Sequence, residues 1–253
     1  MATYLITGTS RGLGLALATH LSTLLSSEIG TIFTLARKSS AALNSLIEKS
    51  SGRVVLIEAD VTDEASIKKA VGEVEGKLGG KGLDVLVNNV GIMGFTPEGI
   101  TAMDDLSNHF TVNVLSAHWT IRNCIPLLEK GTQKKIVNIS TTLGSFNLVS
   151  QYTWAPAPAY KITKAALNML TVQYANDYAE KGFTIFALSP GWLKTDLGGG
   201  DRADLEPEVG AKASLDRIFA ATKEDNGQFL NIKVEGWENA AGPNKYNGLN
   251  PAW

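Results

Sequence analysis

This sequence has almost no cysteine. Cys124 is the only one, so no disulfide can form within the chain. A single thiol inside an apolar helical pattern reads as a buried, inert side chain, and the lack of paired cysteines fits a reducing compartment. Histidine is nearly as scarce. His20, His109 and His118 fall on separate helical stretches without the spacing that gathers a metal site, so no metal is expected. An excess of one charge is missing too. A net charge of −2 and a pI near 6.0 give no reason to expect nucleic acid or an anionic membrane as partner. No apolar run approaches the roughly 18 residues that span a bilayer. The first residues lack a charged flank ahead of a long apolar segment, so no secretory leader is expected. What remains is 253 residues, 44% hydrophobic and 19% charged. Such a chain is long enough for one large core and is read as a soluble, cytoplasmic protein.

What is present is alternation. Short apolar runs at 3–7, 31–36, 53–58, 84–87, 135–140, 183–188 and 227–232 read as strands. Between them, helical spacing predicts helices beginning at Leu13, over 64–79, over roughly 102–128, from Pro158 to about Glu180, and over 205–223. From Val234 the chain turns irregular. Strands separated by helices of ten or more residues imply a parallel sheet covered on both faces. The fold class is therefore α/β: a single-domain, Rossmann-type doubly wound sheet of about seven strands spanning 1–253, with no repeat or linker to divide it.

Two stretches carry chemistry. The first strand runs straight into Gly8-Thr9-Ser10-Arg11-Gly12-Leu13-Gly14 and then a helix. Glycines in that context let backbone approach a pyrophosphate, and the helix N-terminus offers free N–H groups. An acidic residue after the second strand would accept hydrogen bonds from an adenosine ribose, but this chain has Arg37 and Lys38 there. Together with Arg11 they suit a 2′-phosphate, so NADP(H) is the cofactor expected. The second stretch is Tyr160-Lys161-Ile162-Thr163-Lys164, near the start of a helix. Tyr160 and Lys164 are i and i+4 on one face, where an ammonium beside a phenol should lower the phenol's pKa and fit it for acid–base work.

With Asp60-Val61, Asn88-Asn89-Val90-Gly91, Asn113 and Pro190-Gly191-x-x-x-Thr195 in order between and after these, the chain resembles a short-chain dehydrogenase/reductase over roughly residues 3–232. Within that family it is similar to the sniffer-like carbonyl reductases, bacterial C-factor relatives and fungal norsolorinic acid ketoreductase-like proteins. The resemblance implies reduction of a small-molecule carbonyl, with Tyr160 as acid. Lys164 would depress the Tyr160 pKa and bond the nicotinamide ribose, and Asn113 would hold a water relaying protons to Lys164. Gly8, Ser10, Arg11, Gly12, Leu13 and Gly14 would line the pyrophosphate and adenosine. Asp60 and Val61 would contact adenine, and Asn89 and Gly91 the adenosine side of the cleft. Asn88 would serve mainly to tie strands together. Thr195 would meet the carboxamide, with Pro190, Gly191, Trp192 and Leu193 beside it on the cofactor.

Two departures from the family pattern stand out. Where the family usually has a carbonyl-polarising serine, alignment places Thr141; Ser140 or Thr142 would substitute in another register. Thr141 and Tyr160 are also farther apart than the family usual, and the surplus around Val149–Trp154 should form a loop over the pocket. Its Tyr152 and Trp154 would either stack on a flat, aromatic substrate or cap the core. Two other functions compete with a ketoreductase: a non-redox step such as dehydration or cyclisation in the same pocket, and a dinucleotide-binding sensor without turnover. The helices near 102–128 and 155–180 carry more apolar residues than one core-facing stripe needs, which predicts a homodimer or homotetramer.

Overall fold

Neighbouring residues on a strand point to opposite faces of the sheet, and that alternation layers this chain. In the computed structural model, which describes residues 1–253, β1 (Ala2–Thr7) sends Tyr4 and Ile6 to one core and Leu5 to the other. Val85 and Val87 part from Leu86 in β4 (Val85–Asn88), and Phe186 and Leu188 part from Ile185 in β6 (Thr184–Ser189). With β2 (Ile29–Ala36), β3 (Val54–Glu58), β5 (Lys135–Ile139) and β7 (Phe229–Asn231), these strands form one parallel sheet. Its order is β3-β2-β1-β4-β5-β6-β7. Helices α1 (Gly12–Thr23), α2 (Ala41–Lys49) and α7 (Pro207–Ala220) pack on one face. On the other lie α3 (Glu64–Leu78), α5 (Ser116–Glu129) and α6 (Pro158–Tyr178).

The expected α/β doubly wound sheet is thus observed, with strand ends shifted by at most two residues. Two helical readings need correction. The helix read over 102–128 starts at Leu106, after a 3₁₀ turn at Ile100–Ala102 and three non-helical residues, and runs without a break to Glu129 as α4 (Leu106–Phe110), a π turn (Thr111–Leu115) and α5. The π turn admits one extra residue per turn, which 3.6-residue spacing cannot signal. Helix α2 was not expected, because only Leu43 and Leu46 of its nine residues are buried. Ser40, accepting from the Leu43 N–H at 3.1 Å, is the N-cap that marks its start.

Of the apolar residues counted on the helices near 102–128 and 155–180, Ile121, Ile125, Leu127 and Leu167 are core, Trp119, Leu170, Val172 and Tyr174 are half-buried, and Met169 on α6 and Leu115 in the π turn stay exposed. Cys124 is fully buried, and burial pushes its thiol up to about 12, the inert state expected of it. No helix is long and apolar enough to cross a membrane.

The sheet order positions the site. β1 and β4 lie side by side at the centre, with the earlier strands stacked outward on one hand and the later ones on the other. Loops leaving their carboxyl ends diverge and open a crevice there.

Candidate active site

The crevice begins at the glycine turn. Gly8 takes φ +73 and Gly12 φ +57, conformations that glycine alone adopts without strain. Gly14 is needed for a different reason: a Cβ on it would sit 2.3 Å from the Gly8 carbonyl oxygen. The turn is tied down from both neighbouring strands. The Gly8 N–H donates to Leu35 O at 2.8 Å, and Asn89 Nδ2 donates to Thr7 O at 2.9 Å and Gly8 O at 3.2 Å. Helix α1 then starts without a side-chain cap and without an acid in its first turn. Its leading N–H groups and the positive end of its dipole therefore remain available to an anion. This is a cradle into which a pyrophosphate fits.

Around the cradle, one cleft of about 1110 Å³ takes in every residue expected to bind cofactor except Gly14 and Asn88. Gly14 is packed beneath the turn. Asn88 faces β5, giving an Nδ2 hydrogen bond to Asn138 Oδ1 at 2.8 Å, so it ties strands and lies outside the cleft wall. At the end of β2, Arg37 and Lys38 are exposed and join none of the ion pairs. Arg11 lines the cleft as well, and its exposed side chain pairs with Asp196 at 3.0 Å. Asp60 is held low by the Thr62 hydroxyl and N–H bonded to its Oδ1, with a smaller contribution from Arg37. Thr195 meets the turn from the other side, its methyl 3.3 Å from where a Cβ on Gly12 would lie.

Deeper in, α6 begins with Pro158 in its first turn and presents Tyr160 and Lys164 to the end of β5. Tyr160 is only 7% exposed, yet its hydroxyl has no protein partner and opens onto the cleft. Lys164 Nζ donates to Ile139 O at 2.7 Å and stands 5.7 Å from the centre of the Tyr160 ring. The expected lowering of the phenol does not occur in the protein alone. Burial raises Tyr160, and burial also lowers Lys164 to about 8. Desolvation penalises both charged forms, and an ammonium nearly 6 Å from the ring does not offset it.

Three hydroxyls, of Ser140, Thr141 and Thr142, stand at the end of β5 on the cleft. Ser140 is buried and bonded to Asn168 Oδ1 at 2.5 Å, while Thr142 donates to Tyr152 Oη at 2.8 Å. Thr141 accepts a long bond from Leu143 N at 3.3 Å and keeps its own proton free, on the cleft wall. Asn113, in the π turn, is 1% exposed and uses its amide as a clamp, accepting from Ile92 N at 2.8 Å and donating to Ile92 O at 3.0 Å. The same Nδ2 also donates to Thr163 Oγ1 at 3.0 Å, so the side chain ties the loop after β4 to α6, while it makes no hydrogen bond to Lys164 itself. Only Gly91 separates them: a Cβ there would lie 3.5 Å from both Asn113 Oδ1 and Lys164 Nζ.

A model of the short chain dehydrogenase family matches residues 2–206. The chain belongs to that family. It is 37% identical to the short-chain dehydrogenase/reductase AacuF of Aspergillus aculeatus over 201 residues, 76% of this chain and 74% of that one. It is 29% identical to norsolorinic acid ketoreductase nor1 of Dothistroma septosporum, over 90% of this chain and 88% of that one. Among solved structures, NADPH-bound carbonyl reductase from chicken fatty liver superposes with a TM-score of 0.86 at 31% identity, covering 100% of this chain and 94% of that one. The carbonyl reductase Sniffer of D. melanogaster gives 0.85 at 29%, covering all of both chains. Two of the groups resembled in sequence, the norsolorinic acid ketoreductase-like and the sniffer-like proteins, are met again here.

Several residues of this family member's cleft went unread in the sequence. Ser40 donates to Ser10 O at 2.7 Å and locks the start of α2 to the glycine turn. Its N-cap position was the available signal. On the opposite side, Asn244 and Tyr246 of the tail reach back into the cleft, which no local pattern announces. The two aromatic residues of the surplus loop divide: Tyr152 is 1% exposed and caps the core, whereas Trp154 is 53% exposed on the cleft wall.

Proposed function

We propose that this protein reduces a ketone to an alcohol with NADPH, and that Tyr160 is the proton donor. The observation carrying this reading is the unbonded Tyr160 hydroxyl, open to the cleft beside Lys164 and Thr141. Gly8, Ser10, Gly12, Leu13 and the α1 N-terminus would hold the pyrophosphate. Arg37 and Lys38, free of partners, would take the 2′-phosphate, and Thr195 the nicotinamide carboxamide. When bound, the reduced nicotinamide supplies the hydride.

The chain's own groups do the rest. Thr141 donates a hydrogen bond to the carbonyl oxygen, a bond that strengthens as negative charge develops there. Tyr160, kept protonated by burial, gives its proton to that oxygen as it becomes an alkoxide. Lys164, lowered to about 8, can then return a proton to the phenolate near neutral pH and draw another from solvent. Asn113 holds the π turn and the loop after β4 in register beside Lys164.

Incubation with NADPH and a panel of aryl ketones, followed by the absorbance of reduced nicotinamide, tests this reading. Consumption that depends on the ketone is expected. Cofactor binding without consumption across the panel would point instead to a sensor or a non-redox enzyme.

A further inference from the structure

Beside the main cleft is a second cavity of about 250 Å³, lined by Trp154, Trp192 and Trp237 with Asp204, Asn244 and Pro243. Trp154, Trp192, Pro243 and Asn244 also line the main cleft, so the cavity is a side arm of it. Its walls are fixed. Trp192 Nε1 donates to Gly198 O at 2.7 Å, and its ring meets Trp154 at 5.3 Å and 39°. Trp237 leans on Tyr246 at 5.3 Å.

The carboxylate of Asp204 is the unusual part. Its Oδ2 accepts from Tyr246 Oη at 2.5 Å and Asn244 Nδ2 at 2.9 Å, both neutral donors. Its Oδ1 accepts nothing and is not sealed from solvent. None of the chain's ion pairs includes it. Negative charge without a cation, set among three indole rings, is the chemistry that attracts an organic ammonium: indole is the best π face for a cation, and the carboxylate adds Coulomb attraction. The volume suits a head group and is too small for a whole drug-sized ligand.

We infer that this aromatic box binds an alkylammonium group, and that the preferred substrate is a ketone carrying a protonated or quaternary amine. The first half stands on the box alone, and the second rests on the ketone-reducing reading above.

Choline and its neutral isostere 3,3-dimethylbutan-1-ol are the probes, titrated by tryptophan fluorescence against the full chain. Choline should bind about tenfold more tightly, a preference of the size cation–π contacts supply. Trp237→Leu, which keeps an apolar wall but removes the ring, should erase most of that preference. Asp204→Asn should do the same. Should Asp204→Asn fail to fold, Trp237→Leu decides alone. Equal binding of the two probes, no binding of either, or a preference that survives the substitution would overturn the box. In turnover, an aryl ketone bearing a trimethylammonium arm should show a higher kcat/KM than its tert-butyl analogue. If neutral ketones turn over but the charged arm brings no gain, the inference about the substrate fails and the reductase reading survives. If no ketone turns over, that reading fails while the choline titration still reports on the box.

Discussion

The two ends of the cleft are built by different means. At the end proposed for the cofactor, the walls are the carboxyl ends of β1, β2 and β4 and the start of α1, fastened by short bonds such as Gly8 N to Leu35 O and Asn89 Nδ2 to Thr7 O. At the end proposed for the substrate, the walls are irregular chain from three distant stretches. Side chains hold them together across more than a hundred positions: Ser145 Oγ donates to Ala252 O at 2.7 Å, and Asn147 Nδ2 donates to Trp253 O at 3.0 Å. The Trp253 ring stacks on Phe229 at 5.3 Å, anchoring the tail to β7. One end takes its shape from regular elements. The other keeps its shape only while its cross-links hold.

The sharpest way to test the proposed chemistry where the two ends meet is Tyr160→Phe. It removes only the hydroxyl, so kcat should fall at least ~10²-fold, the usual scale for a general acid. The dissociation constant for NADPH should barely move; near-normal turnover would remove Tyr160 from the reaction.

On the regular side, Gly14→Ala drives a methyl against the Gly8 carbonyl at 2.3 Å. Backbone must shift, at a cost of roughly 1–3 kcal/mol. We expect a lowered midpoint of thermal unfolding and NADPH binding weakened about tenfold or more. An unchanged calorimetric titration would mean the turn is softer than its bonding implies. Arg37→Asp probes the same end without disturbing its backbone. It should cut the preference for NADPH over NADH by about tenfold, the worth of a charge-assisted bond. Equal kcat/KM for both cofactors in the native protein would show that Arg37 and Lys38 face only solvent.

On the irregular side, shortening the chain to Asn250 deletes the Ala252 and Trp253 acceptors. The 145–154 loop should loosen, raising KM for ketones a few-fold, in keeping with roughly 1 kcal/mol per lost hydrogen bond. NADPH affinity should stay constant, so a matching loss in both would abolish the distinction between the two ends.

The last effect is on the pH dependence of stability. Burial lowers Lys164 to about 8, whereas an unfolded lysine titrates near 10.4. Between those values the unfolded chain binds the extra proton, so stability should rise with pH as the cost of burying the charge disappears. Below about 8 that cost is fully present. Lys164→Met should flatten this rise in urea titrations at matched pH; identical slopes would mean the ammonium is better solvated than its surroundings suggest.

Much of the regular end was legible in the sequence because its signals are local. Gly8, Gly12 and Gly14 stand between a strand and a helix, and Tyr160 and Lys164 share one helical face, so spacing alone brought them together. The sequence by itself determined the alternation of strands and helices, and with it the parallel sheet and the crevice at its centre, since period-2 and period-3.6 patterns state which face each residue buries. Only the tertiary structure decided that Arg11 pairs with Asp196, that burial outweighs Lys164 in setting the Tyr160 proton, and that Asp204 sits among three tryptophans without a cation. Each of these depends on groups far apart in the chain and on how much water lies between them. Desolvation and long-range contact are properties of the packed molecule, and no local pattern encodes them.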